Sequence, residues 1–197
     1  PVELTISEAW SISRREVGSS VDQGTIEANA LAVDALVAMR AQEISCLVIV
    51  DENGKATSWA RSGKQFQTLQ KVEEEIESLG MKSVVFDGEM CILDENGDED
   101  FQNCMKQIRR KDHTITNGLY QTFDLIDLPD FQQGTSGDTF FTRLGRLRDV
   151  VGDDAKMISV LHQEQISDND HFQEWRQRSQ DADWEGLMLR LDVPYKG

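Results

Sequence analysis

Positive charge is scarce in this sequence: 20 Lys and Arg stand against 36 Asp and Glu, a formal net charge of -16 over 197 residues. Affinity for a phosphate backbone rests on basic side chains displacing condensed counterions, so the chain alone is expected to bind nucleic acid weakly. Long apolar runs are missing too. No stretch of about 18 uncharged apolar residues occurs, and no basic-then-apolar leader pattern opens the sequence, so a soluble, cytoplasmic protein is expected. Cysteine is sparse and odd in number. Cys46, Cys91 and Cys104 form no CxxC pair and have no histidine at metal-ligand spacing, which leaves free, reduced thiols as the expectation. Lysine is absent from residues 1–54. What is present is ordinary globular material: 39% apolar residues and 14 glycines, enough for one large domain or two small ones around a real core.

The apolar pattern changes along the chain. Ile26, Ala30, Val33, Leu36, Val37 and Met39 recur at helical spacing and predict a helix over 25–42, after a polar loop from Arg14 to Gln23. From Cys46 onward the residues read as strands and turns. Cys46 to Val50 is a buried-type strand, Asp51-Glu52-Asn53-Gly54 a hairpin turn, and Lys55 to Arg61 the returning strand. Leu69, Val72, Ile76 and Leu79 predict a helix over 67–79 with Gly80 closing it. Ser83 to Leu93 is a long strand, Asp94 to Gly97 turns, and Phe101 to Arg110 is a short helix. Gly118 to Leu128 is another strand, ended by Pro129. Asp138 is placed to cap a helix with Phe141, Leu144, Leu147 and Val151 on its core face, closed by Gly152. A short strand at Met157 to Leu161, a helix begun by Ser167-Asp168 and a final strand from Asp183 to Leu191 complete the order. Antiparallel hairpins interrupted by single helices indicate an α+β fold.

Two acidic signatures are set far apart, Phe86-Asp87-Gly88-Glu89-Met90 and Trp184-Glu185-Gly186-Leu187-Met188-Leu189-Arg190. Each puts a carboxylate beside an apolar strand. If both strands line one cleft, Glu89 and Glu185 can hold a metal ion and a nucleotide's sugar between them. Positive charge clusters locally in Lys106 to Lys111 and in Arg143, Arg146 and Arg148, which read as solvated helix faces.

Five blocks in order, Ser58-Trp59-Ala60-Arg61-Ser62-Gly63-Lys64, Asp87-Gly88-Glu89, Tyr120 through Asp124-Leu125-Ile126, Glu185 to Arg190, and Tyr195-Lys196-Gly197, resemble the nucleotidyltransferase motifs of ATP-dependent DNA ligases. The resemblance covers about residues 46–197, a partial adenylation domain, with residues 1–45 atypical. RNA ligases and mRNA-capping guanylyltransferases share the fold, and a catalytically dead nucleotide-binding module is a further alternative. The resemblance implies antiparallel sheets with flanking helices around an ATP cleft. It implies that Glu89 faces the ribose or a Mg2+ ion, that Phe123 stacks on the purine, and that Glu185 binds the metal. Arg61 would contact nucleotide or a terminal phosphate, as a planar bidentate donor suits. Arg190 stands where the family usually has lysine, and Lys196 approaches the motif whose lysines contact the triphosphate. The implied partner is nicked double-stranded DNA and the implied protein a monomer, serving DNA repair, replication or recombination.

The family's reaction begins when a lysine amine attacks the α-phosphate of ATP. Arg40 occupies the aligned position, twenty-one residues before Arg61, and no Lys-x-Asp-Gly block surrounds it. A guanidinium stays charged and delocalised and cannot act as that nucleophile. The chain as written is therefore expected to be inactive alone. The paired lysines of the family's fifth motif and its oligonucleotide-binding (OB-fold) domain are not in these 197 residues, and the missing block leaves three readings: a pseudoenzyme that lost its nucleophile, a divergent enzyme, or, slightly favoured, residues 1–45 foreign to the domain through a reading-frame change or fusion.

Overall fold

A computed structural model describes residues 33–39, 44–60, 63–95, 99–182 and 186–196. The element order is β1 (Val33–Met39), β2 (Ile44–Val50), β3 (Ala56–Ala60), α1 (Gln70–Ser78), β4 (Val84–Ile92), α2 (Phe101–Ile108), β5 (Gly118–Asp127) and α3 (Leu128–Gln133). It continues with β6 (Thr135–Thr139), α4 (Phe140–Val151), β7 (Ile158–Val160), β8 (Gln163–Glu164), α5 (Asn169–Asp181), β9 (Gly186–Leu191) and β10 (Pro194–Lys196). Five strands in the order β3-β2-β4-β5-β7 make the central sheet; β8-β1-β9 and β10-β6 make two smaller ones. The central sheet is antiparallel, as expected, except where the short β7 joins β5 in parallel.

β1 corrects the predicted helix. Residues 33–39 pair antiparallel with β9, from Val33↔Leu191 to Met39↔Gly186, and with β8 through Leu36↔Glu164 and Val37↔Gln163. Short apolar runs suit either conformation, and distant partners on both sides decide for strand. The earlier part of the predicted helix, the upstream loop and Arg40 lie outside the described residues.

Strong local signals hold elsewhere. Asp51 accepts the backbone N–H groups of Asn53 and Lys55, both at 2.8 Å, and Gly54 takes φ +87° to close the β2–β3 hairpin. α1 starts later than predicted because the Thr68 carbonyl accepts from Ile115 N–H, which draws Thr68 out of the helix, and Gly80 at φ +71° ends it. Asp168 caps α5 by accepting His171 N–H at 2.8 Å. Asp138 does not cap α4. Thr139 is the residue before its first turn, and Asp138 lies in β6, its carbonyl taken by Arg143. Pro129 ends β5 as expected but also sits in the first turn of α3, where its missing N–H costs nothing.

The core lies on one face of the central sheet. Cys46, Val48 and Val50, Val84, Phe86, Met90 and Ile92, and Tyr120 and Leu125 meet Val72 and Ile76 of α1 and Phe140, Leu144, Leu147 and Val151 of α4. The buried aromatic of α4 is thus Phe140, while Phe141 is half-buried. Tyr120 spans the core, its hydroxyl 2.9 Å from the carbonyls of both Cys46 and Phe86. Burial raises its phenol well above the ordinary value. No described helix is long and apolar enough to cross a membrane.

Candidate active site

Strand pleating sends alternate side chains to opposite faces. Because Val84, Phe86, Met90 and Ile92 fill the core, Val85, Asp87, Glu89 and Cys91 turn to the other face of β4. Glu89 is buried there, 4% exposed, in register with Ser45 of β2 and Gln121 of β5. The Ser45 hydroxyl donates to Glu89 Oε1 over a long 3.4 Å.

Gly88 explains how β5 reaches this face. A Cβ on Gly88 would lie 2.5 Å from the Gln121 carbonyl oxygen and 2.8 Å from Thr122 Cα, so only glycine allows the approach. The register then slips: Asp87 faces Asp124 but Gly88 faces Thr122, which leaves Phe123 as the extra residue of a β-bulge. The bulge keeps Tyr120 and Leu125 in the core while delivering Phe123 and Asp124 to the Glu89 side.

Around Phe123 the side chains are tightly committed. Asp124, 3% exposed, accepts Arg143 Nε at 2.8 Å and Nη2 at 3.0 Å in a bidentate pair, and Arg190 Nη1 at 3.2 Å. The Arg190 guanidinium lies 4.6 Å from the Phe123 ring centroid and 5.0 Å from that of Phe140, within cation–π range of both. Arg190 Nε also meets Met188 Sδ at 3.4 Å. Asp124 therefore joins β5, α4 and β9. Tyr195 of β10 stacks on Phe131 at 6.0 Å, and its phenol is raised, first by burial and then by the negative charges of Asp87 and Asp124.

The structure thus brings together Glu89, Phe123 and Arg190 from the predicted set. Lys196 is exposed on β10, opposite Thr135. Arg40, Arg61 and Glu185 lie outside the described residues. Among the described residues no group of three His, Cys, Asp or Glu gathers as a metal site.

The reading as a solvated face is overturned for Arg143, while Arg146 is partly exposed and Arg148 is exposed as expected. Arg143 is 3% exposed, Arg146 reaches Asp127 at 3.1 Å and the Leu125 carbonyl at 3.2 Å, and Arg148 donates to the Gln163 carbonyl at 2.9 Å. The signal for Arg143 was in the sequence: it falls on the stripe Phe140, Leu144, Leu147, Val151 at helical spacing, where a charge needs a buried partner. Asp124, an acid amid the apolar residues of β5, is that partner.

This arrangement, a central sheet with flanking helices and a second small sheet tied across its far face, is the nucleotidyltransferase fold of DNA ligases. A family model described as "ATP dependent DNA ligase domain" matches residues 47–196, and the chain belongs to that family. The solved structure named Pmar-Lig_PreS3 is 25% identical with a TM-score of 0.71, over 83% of this chain and 39% of its own. The ATP-dependent DNA ligase from bacteriophage T7 in complex with ATP shares the fold at 13% identity and TM-score 0.60, over 84% of this chain and 60% of that one. Chlorella virus DNA ligase-adenylate does so at 16% and 0.58, over 90% and 61%. The chain thus spans 39–61% of the length of these proteins. No curated protein matches the sequence.

Proposed function

We propose that this chain is the nucleotide-binding part of a ligase adenylation domain, which holds ATP on the far face of the central sheet without forming a covalent adenylate through residue 40. The observation that carries the reading is the pairing of a buried, sparsely hydrogen-bonded carboxylate, Glu89, with the aromatic Phe123 on the same face. A carboxylate removed from water is usually matched by several donors. Glu89 has one long bond among the described residues, which suits an acid that receives a ribose hydroxyl or a cation from a ligand. The purine takes the Phe123 ring. That ring is 2% exposed with Arg190 over it, so the base enters by displacing the Arg190 side chain, a flexible group already half-shared with Asp124.

Magnesium fits this donor set. It is commonly bound through one or two carboxylates plus substrate phosphates, a role open to Glu89 joined by Glu185. The ion would neutralise charge on the phosphates. Arg61 and Lys196 take phosphate. Through the intact protein the partner is nicked double-stranded DNA; in the family's complete enzymes AMP passes from the lysine to the 5′-phosphate of the nick before a 3′-hydroxyl displaces AMP and seals it. The pairing of β1 with β9 over most of its length supports residues 33–39 as native to the domain. Arg40, aligned with the family's lysine, carries a guanidinium that cannot serve as the nucleophile.

Incubation with labelled ATP and magnesium, then denaturing electrophoresis, tests the missing nucleophile: no covalent label is expected, and a labelled band at the chain's mass overturns it. ATP binding to Glu89→Ala and Glu185→Ala tests the cleft. Each is expected to weaken binding about tenfold or more, in line with loss of a charge-assisted contact. Unchanged binding in both overturns the placement.

A further inference from the structure

We infer that Gln163 is the residue that reads the edge of the bound base and selects adenine over guanine. The inference rests on the proposed placement of the base against Phe123. Gln163 is 5% exposed on β8, in register with Val37 of β1, and its backbone carbonyl is held by Arg148 Nη2 at 2.9 Å. Its side-chain Nε2 donates to the Phe123 carbonyl at 3.3 Å, the carbonyl of the bulged residue itself. Its Oε1 is buried and has no partner among the described residues.

The amide cannot simply turn over to cure this. Rotation would set its oxygen against the Phe123 carbonyl, acceptor against acceptor, so that carbonyl fixes the amide with its own acceptor pointing elsewhere. Buried amide oxygens are almost always hydrogen-bonded, because leaving one dry and unmatched is costly. The site therefore offers a fixed acceptor one amide width from the backbone of Phe123 and asks for an N–H that the described chain does not supply. Adenine carries an amino donor at the ring position where guanine carries a keto acceptor. Beside Gln163 Oε1 the first forms a hydrogen bond and the second meets like with like. A site built to hydrogen-bond one group discriminates strongly against a ligand that lacks it.

The test measures binding of ATP, GTP and N6,N6-dimethyl-ATP to the 197-residue chain and to Gln163→Leu and Gln163→Met, with magnesium present. Two apolar variants of different shape are used so that poor folding of one leaves the other informative, and thermal melting checks both. Wild type is expected to bind ATP about tenfold or more tighter than the other two nucleotides, from one matched rather than mismatched hydrogen bond. Both variants are expected to lose most of that margin by weakening for ATP alone. Retention of the full ATP-over-GTP margin in a folded variant overturns the role of Gln163 and leaves the ATP site standing. Failure of the wild type to bind any of the three overturns the nucleotide site and this inference with it.

Discussion

Asp124 is the side chain on which the cleft's geometry depends most, and Asp124→Ala gives the most searching test of it. The carboxylate and the Arg143 guanidinium are each 4% exposed and meet bidentately, while Arg190, 18% exposed, adds a third contact at 3.2 Å. Cutting out the acid leaves one guanidinium buried without its counter-charge and a second half-stranded. Removing one partner of such a pair costs about 3–5 kcal/mol, whereas replacing both by apolar groups is often neutral. For a chain of this length that corresponds to a fall in Tm of about 6–20 °C. Urea denaturation and calorimetry of Asp124→Ala, together with Asp124→Leu, Arg143→Met and the Asp124→Leu/Arg143→Met pair as the cycle, measure it. The single changes should be strongly destabilising and the double change should recover most of the loss. Arg190→Met, which removes a weaker and wetter contact, should cost about 1 kcal/mol. If Asp124→Ala costs under about 1 kcal/mol, or the double variant is as unstable as the sum of the singles, Asp124 and Arg143 are not the coupled buried pair described above.

Gly88→Ala should be among the harshest small substitutions in the chain, because its Cβ meets backbone at 2.5 Å; a loss of about 3 kcal/mol or more by urea denaturation is expected, and near-wild-type stability would contradict the close β4–β5 approach. Glu77 gives a pH signature. Its carboxyl is held below the ordinary glutamate range, first by the hydrogen bond from Lys55 and then by Ala56 N–H. A folded value below the unfolded one means that its stabilisation is complete above the ordinary value and disappears as pH falls through the lowered one. The urea midpoint of the wild type should therefore drop more than that of Glu77→Gln between about pH 6 and about pH 3.5; parallel profiles would refute the assignment.

The central strands were legible because Cys46 to Val50, Ser83 to Leu93 and Gly118 to Leu128 are dense in residues that suit a buried strand, and their turns carry Asn-Gly or proline. β1 was not. Val33-Asp34-Ala35-Leu36-Val37-Ala38-Met39 is written largely in helix formers, and its partners are more than a hundred residues away. For the candidate site, Glu89 and Phe123 could be placed on their strands from the motifs, but the bulge at Phe123 depends on inter-strand register, which no local pattern encodes. Arg190 could be placed on its strand from sequence, whereas its sandwich between Phe123 and Phe140 needed three separate segments to converge. Gln163 had no signal at all. A lone glutamine after a short strand is unremarkable until its neighbours are known.

The three-stranded sheet also has a consequence for the order of assembly during synthesis. β1 leaves the ribosome long before its two neighbours, which begin at Gln163 and Gly186. At about 5–20 residues per second, translation leaves this apolar strand with both edges open for on the order of ten seconds. The nascent chain is thus exposed to mispairing at the segment that leads into residue 40, and chaperone dependence of soluble yield should track substitutions there more closely than in the hairpin of β2 and β3, which closes as soon as it is made.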